Sequence, residues 1–229
     1  MTDATVASPS RVLRRDAAEN LDKVLDAART SFDEDGFEVG MEAIAHRAGV
    51  GVGTIYRRFP TKADLIAAVI DEVVAEIRDA AVAAMDNPSA GDGFCDYLYA
   101  VGRVQFTHAG CLSRLWSAAD EAVVAEVESL SRDLLVRAQR EGAIRSDVVY
   151  EDVATIFWSL QGVIERTAPV SSDAWKRHLD LLIQALTHED GRLRYPPLTP
   201  TQARDVKQVW GQRVARGAVP LSPVRKLAD

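Results

Sequence analysis

The chain has 229 residues, 47% of them hydrophobic and 27% charged, with a formal net charge of −7. That is enough apolar material for a sizeable core, yet no run of about 18 apolar residues exists to span a membrane, and Met1 to Arg15 lacks the apolar centre of a secretory leader. The two cysteines, Cys95 and Cys111, stand in no metal or redox spacing, so a cytoplasmic protein is expected.

In chain order the sequence reads as helices punctuated by Gly and Pro, with no convincing run of β-branched alternation. Residues 1–15 read as a flexible basic arm ending in Arg14 and Arg15. Leu21, Val24, Leu25, Ala28 and Phe32 fall at i, i+3, i+4, i+7 and i+11, one apolar stripe of a helix that ends near Gly36. Met41, Ile44, Ala45 and Ala48 make a second, short stripe that stops at Gly49. A third segment runs from Val52 to Phe59, ahead of Pro60. Thr61 caps the next helix, with Asp64 three residues on in a capping-box arrangement. That helix carries Leu65, Ile66, Val69, Ile70, Val73, Val74 and Ile77 and fades toward Asn87-Pro88.

Beyond that break, helices are predicted over about 91–108, 113–118, 120–141, 148–168 and 173–188. The fourth of these has Val153, Ile156, Phe157, Leu160 and Ile164 on one side; the fifth has Trp175, Leu179, Leu182, Ile183 and Leu186. Pro196-Pro197 opens a tail in which Thr199-Pro200, a cap followed by a first-turn proline, starts a further helix over 200–215. A loose end is expected after Gly217. The fold class is all-α, with a three-helix N-terminal domain over 16–64, a helical body over 65–191 and a basic tail over 192–229. Charge is divided unevenly among them: −2 over 1–64, −11 over 65–191 and +6 over 192–229. From Val39 to Lys62, Glu42 stands against Arg47, Arg57, Arg58 and Lys62, a local +3. Phosphate binding depends on where cations are placed, so an acidic body with a cationic tip is compatible with a nucleic-acid partner.

Met41 to Phe59 is the most informative stretch. Two short helices joined by a tight turn containing Gly are how a helix-turn-helix sets its angle. Gly49 can adopt the left-handed conformation that ends the first helix. Val50 then anchors the turn in the core, and Ile44, Ala45 and Ile55 lock the two helices together. The second helix carries Thr54, Tyr56, Arg57 and Arg58, groups suited to DNA, while Val52 and Gly53 at its start allow close approach to base edges. Similar helix pairs occur in ordinary bundles, so a helical interaction or adaptor protein is the alternative.

The run Ile44-Ala45-His46-Arg47-Ala48-Gly49-Val50-Gly51-Val52-Gly53-Thr54-Ile55-Tyr56-Arg57-Arg58-Phe59-Pro60-Thr61-Lys62 resembles the signature of the tetracycline-repressor (TetR) family. Ala27-Ala28, Phe32 and Gly36-Phe37 fit that family's first helix, and Leu65-Ile66-Ala67-Ala68-Val69 its fourth; the resemblance covers about residues 16–72. It implies a helix-turn-helix DNA-binding domain and a C-terminal helical ligand-binding and dimerisation domain. Val52, Gly53, Tyr56 and Arg57 hold positions that face base edges. Thr54, Tyr56 and Lys62 hold positions that touch phosphates, Lys62 from a helix N-terminus that already favours an anion. At least one of Arg57 and Arg58 is expected on DNA, and which one reads a base stays open. Arg14 and Arg15 can reach backbone or minor groove. The sequence departs from the family at Gly40 and Gly51, where Ser or Thr caps are frequent; glycine is an acceptable cap at a small loss. Glu42 holds a position that contacts DNA in some members, where an acid repels phosphate or accepts from a cytosine amine.

The resemblance further implies a homodimer on a palindromic double-stranded operator, with the helices over 148–168 and 173–188 forming a four-helix bundle with their twins. Repression released by a small-molecule effector is the family's habit. The effector pocket is expected among Phe94, Tyr99, Arg103, Phe106, Trp116, Phe157, Trp158 and Gln161, with Tyr97 nearby; the same aromatics equally suit a helical core. Arg103 either meets an anionic ligand in a buried site or pairs with a surface acid. No catalytic constellation is found: Ser113 lacks a nucleophile's context, and Asp120-Glu121 and Glu151-Asp152 read as helix-end acids. His46, His108, His178 and His188 have no ligand spacing, so neither metal, cofactor nor enzyme activity is expected. Arg204, Lys207, Arg213 and Arg216 of the tail rest on the acidic body or touch DNA. Val206, Val209, Trp210 and Val214, which want burial, favour the first.

Overall fold

The computed structural model describes residues 9–109, 112, 119–187, 191 and 193–215, with side chains between Glu19 and Arg213. The helices among the described residues are α1 (Pro9–Asp35), α2 (Met41–Ala48), α3 (Val52–Arg58), α4 (Lys62–Asp86), α5 (Ala90–Thr107), α6 (Glu121–Arg140), α7 (Tyr150–Thr167), α8 (Ala174–Thr187) and α9 (Pro200–Ala215). No described helix is long and apolar enough to cross a membrane. The expected helix over 113–118 lies outside the described residues. The chain divides between Val69 and Ile70 into two compact units, inside α4 and a little past the boundary read after Asp64.

In the first unit, α1 buries Val24, Leu25, Ala28 and Phe32 as its period requires, together with Ala27 and Ser31. Phe37, in the loop that follows, stacks on Phe32 with ring centroids 4.7 Å apart. The stretch expected as a flexible arm, 1–15, is helical from Pro9 onward. Proline is favoured in a helix's first turn, and no Gly or further Pro interrupts the chain between it and Asp35. Leu65 and Val69 of α4 are buried in this unit's core beside Met41, Ile44, Ala45, Ile55 and Phe59.

In the second unit the α4 stripe continues through Ile70, Val73, Val74, Ile77, Ala81 and Ala84, all buried. Helix α5 touches α6, α7 and α8, and α7 packs on α8. Gly102 permits the closest of these approaches. A Cβ there would lie 2.5 Å from the Trp175 ring and 3.2 Å from Leu160 Cδ2. The predicted stripes are buried at Val153, Ile156, Leu160 and Ile164 and at Trp175, Leu179, Ile183 and Leu186. Helix starts are capped by their own side chains: Ser89 Oγ accepts from Asp92 N–H (3.2 Å), Asp120 Oδ1 from Ala122 N–H (2.8 Å), and Asp152 Oδ2 from Val149 N–H (3.0 Å).

Helix α9 starts at the Thr199-Pro200 pair, where Thr199 Oγ1 accepts from Gln202 N–H (3.2 Å) and Gln202 Oε1 from Thr199 N–H (2.9 Å). It rests on the acidic body through buried Ala203 and through Lys207, whose ammonium donates to Glu128 of α6. Contrary to expectation, Val206, Val209 and Trp210 remain exposed by 42%, 52% and 42%. At about 100° per residue Val209 lies about 120° around the helix from Ala203 and Val206 about 60°, whereas Trp210, seven residues on, returns to within about 20° of Ala203 and is exposed all the same. Val214 and Arg216 fall outside the described side chains.

Candidate nucleic-acid interface

Backbone geometry sets the angle between α2 and α3. At the end of α2, Gly49 takes φ 68° and ψ 27°. Its N–H donates to the His46 carbonyl at 3.1 Å, and the Val50 N–H donates to the Ala45 carbonyl at 3.0 Å. These paired bonds satisfy the last carbonyls of α2 and turn the chain within one residue. Gly51, extended, then accepts from the Thr54 N–H at 2.8 Å to open α3. Ile44, Ala45 and Ile55 are fully buried, as the lock between the helices requires, and Phe59 nearly so. Val50, expected as a core anchor, is half-buried, and it is its backbone N–H that bonds across the turn.

With Ile55 and Phe59 turned inward, the other face of α3 is presented to solvent. Val52 and Tyr56 are exposed by 42% and 41%. Gly53, Arg57 and Arg58 are also exposed, and nothing lies within 4 Å of a Cβ built at Gly53. Thr54 is half-buried at the helix start. Arg58 lies over the Phe59 ring at 5.9 Å, and neither Arg57 nor Arg58 has an ion pair among the described residues. Arg47 differs: it is tied to Glu34 (2.7 Å) and Asp35 (3.4 Å) at the end of α1. The local positive charge is therefore carried outward by Arg57 and Arg58, while Lys62 is half-buried. The Lys62 ammonium donates to the Phe37 carbonyl, which leaves two of its three protons for another acceptor. It projects from the first turn of α4, whose N-terminus is closed by the predicted box: Asp64 Oδ2 accepts from Thr61 N–H (2.8 Å) and Thr61 Oγ1 from Asp64 N–H (3.2 Å). Arg14 and Arg15 lie in the helical part of α1, outside the described side chains.

One residue of this surface was left undecided by the sequence. The Tyr56 O–H donates to Glu42 Oε1 at 2.9 Å, bridging α3 to the first turn of α2. Glu42's own backbone N–H and the Tyr56 hydroxyl hold its carboxyl below the usual carboxylate range, and the same bond pushes the Tyr56 phenol up.

The second unit distributes the pocket candidates among several neighbours. Phe94 is fully buried core. Tyr99 donates its hydroxyl to Asp180, and Phe106 stacks on Trp175 with centroids 6.2 Å apart. Phe157 stands edge-on to Tyr97 (6.4 Å, 83°), and its carbonyl accepts from Gln105 Nε2 at 3.2 Å. Trp158 is half-buried, and Gln161 Nε2 donates to Glu165 Oε1 at 3.0 Å. Trp116 lies outside the described residues. Arg103 is exposed, which removes the premise of a buried cation. It lines an open cleft of about 290 Å³ between α4 and α5, with Glu76, Ala80, Ala100, Val104 and Thr107. Among the described residues no group of three or more His, Cys, Asp or Glu side chains is placed to hold a metal ion.

The family described as bacterial regulatory proteins, tetR family, matches residues 24–69, and that described as transcriptional regulator SbtR-like, C-terminal domain, matches residues 90–188. An HTH-type transcriptional regulator of Staphylococcus aureus (strain COL) is 44% identical over 59 residues, 25% of this chain; the alignment spans 32% of that relative's length. Among solved structures, the TetR transcription regulatory protein from Mycobacterium vanbaalenii is 29% identical with a TM-score of 0.57, covering 77% of this chain and 99% of that one. A TetR transcriptional regulator from Streptomyces coelicolor is 26% identical with a TM-score of 0.56, covering 74% of this chain and 99% of that one. Likeness thus extends over both the helix-turn-helix and the helical body, and the chain belongs to the TetR family of bacterial regulatory proteins.

Proposed function

We propose that this chain is a sequence-specific DNA-binding transcription regulator. It acts as a homodimer on a palindromic operator, as a repressor that a small-molecule effector releases. The observation that carries this reading is the outward face of α3: an open glycine, an exposed valine, an exposed tyrosine and two arginines without ion pairs among the described residues, on a helix fixed from behind by Ile55 and Phe59. Val52, Gly53, the Tyr56 ring and Arg57 face base edges; Thr54, Arg58 and Lys62 face phosphates. A helix pair serving only to pack would have no use for such a surface. The test is selection of bound sites from random duplex DNA by the purified protein. A palindromic consensus is expected, and recovery of unrelated sequences would end this reading.

For the effector, the open cleft lined by Arg103 sets a cation and the acid Glu76 beside Ala80, Ala100, Val104 and Thr107, a mixed lining suited to a small polar molecule. Helix α4 carries Lys62 in its first turn and Glu76 and Ala80 of that cleft farther along. An effector bound there acts by favouring states in which the dimer's two α3 helices are not at operator spacing. Thermal-shift screening identifies ligands, and Arg103→Ala is expected to abolish the response to them. An undiminished response would remove Arg103 from the site.

A further inference from the structure

We infer that Glu42 is a specificity-determining residue: with the Tyr56 hydroxyl as its clasp, its carboxylate accepts a hydrogen bond from the exocyclic amine of one base in each half-site. This deepens the DNA-binding reading above and rests on it. Three observations meet at this point. The Tyr56 O–H, the only proton that side chain can donate, is committed to Glu42 Oε1 at 2.9 Å. Helix α2 begins at Gly40 with no side-chain cap, and Glu42 Oε2 lies 3.2 Å from where a Cβ on residue 40 would stand. The carboxylate therefore folds back over the N-terminus of α2, beside its own amide, where a Cβ on residue 40 would be a tight neighbour. Glu42 and Tyr56 are both exposed, next to exposed Val52 and open Gly53 on the face that carries Arg57 and Arg58.

The two departures from the family pattern, Gly40 and Glu42, thus form one arrangement. An anion at a helix N-terminus compensates for the missing cap. Tyr56 fixes the orientation of that anion, and the pair presents lone pairs rather than protons. An acceptor surface of one negative charge repels a phosphate oxygen. In the major groove it is complementary to the amine of cytosine N4, or of adenine N6, and it rejects the O6 and N7 acceptors of guanine and the O4 of thymine. On this account the Tyr56 hydroxyl orients Glu42 and does not anchor a phosphate.

The test compares wild type, Glu42→Gln and Tyr56→Phe on duplexes carrying each base in turn at every position of the selected site, and on random duplex DNA. Wild type is expected to prefer C or A at one symmetry-related position, and which of the two it prefers identifies the amine. Glu42→Gln is expected to reduce that preference roughly tenfold, leave the other positions unchanged, and raise affinity for random DNA severalfold by removing a negative charge. Tyr56→Phe is expected to weaken the same preference by a smaller factor, with random-DNA affinity undiminished. Either of two results overturns the proposal: both variants keep the wild-type preference at every position, or Tyr56→Phe weakens operator and random DNA alike, as loss of a phosphate anchor would. Circular dichroism of each variant guards against unfolding, and Tyr56→Phe, which deletes only an exposed oxygen, decides if Glu42→Gln does not fold. A wild type that binds all duplexes equally would instead sink the DNA-reading assignment itself, and is distinguishable from both.

Discussion

At the scale of single residues, DNA affinity and specificity are expected to separate. Lys62 sits at a helix N-terminus with two protons to spare. Lys62→Ala should therefore weaken operator and random DNA by a similar factor and lower the slope of log affinity against log salt by about one, read from titrations at several ionic strengths. The buried tyrosine gives a second handle, independent of DNA. Tyr97 is 1% exposed, meets Ser131 Oγ at 2.5 Å, and is pushed by burial up to about 12. The folded state therefore holds this proton more tightly than the unfolded chain, whose tyrosines titrate near pH 10. The stability it contributes is intact below pH 10 and is lost as pH rises from 10 to 12. Chemical denaturation across that window should show wild type losing roughly 2–3 kcal/mol more than Tyr97→Phe, which has no proton to lose. Parallel pH profiles for the two proteins would contradict the assignment.

At the scale of elements, glycine decides two placements for different reasons. Gly49 has a backbone that side chains disfavour, with open space around it. Gly49→Ala should cost about 1–2 kcal/mol through strain alone, read as a lower melting temperature of the N-terminal unit. Gly102 has an ordinary helical backbone but no room. Gly102→Ala drives a methyl into the Trp175 ring, and the overpacking cost of about 1–3 kcal/mol opposes a helix-propensity gain of up to about 1 kcal/mol. A net loss measured by denaturation is expected, and larger residues should be worse. Most helix positions were legible because the signals are local: apolar period, Thr61 with Asp64, Thr199 before Pro200, and Gly49 after Ala48. What escaped depended on partners distant in sequence. The sequence could mark Glu42 as unusual, yet only the fold brings Tyr56 to it, fourteen residues on. Arg103 looked like a candidate buried cation among aromatics, and its helix turns it outward. Val206, Val209 and Trp210 were read as wanting burial, whereas Ala203 and Lys207 are the residues that meet the body. The missing information in each case is which neighbour a face meets, and periodicity does not encode that.

At the scale of the whole molecule, the account requires a dimer that presents two copies of α3 to one duplex. Leu181 of α8 is 56% exposed on one of the two helices assigned to the dimer. Leu181→Asp should shift the sedimentation profile toward monomer and make operator binding weaker and steeper in protein concentration. An unchanged dimer would move the interface elsewhere on the chain. The division of charge fits the same picture. An acidic body is expected to repel DNA phosphates, so that contact falls to the exposed cations Arg57 and Arg58 and to the half-buried Lys62.

The central claim is that the exposed face of α3 reads DNA, and the most direct measurement is the affinity of Arg57→Ala and Arg58→Ala for the selected site and for a scrambled duplex. At least one of the two is expected to lose roughly 1–3 kcal/mol on the selected site, with the fold unchanged by circular dichroism. Wild-type affinity of both variants for both duplexes would contradict the account.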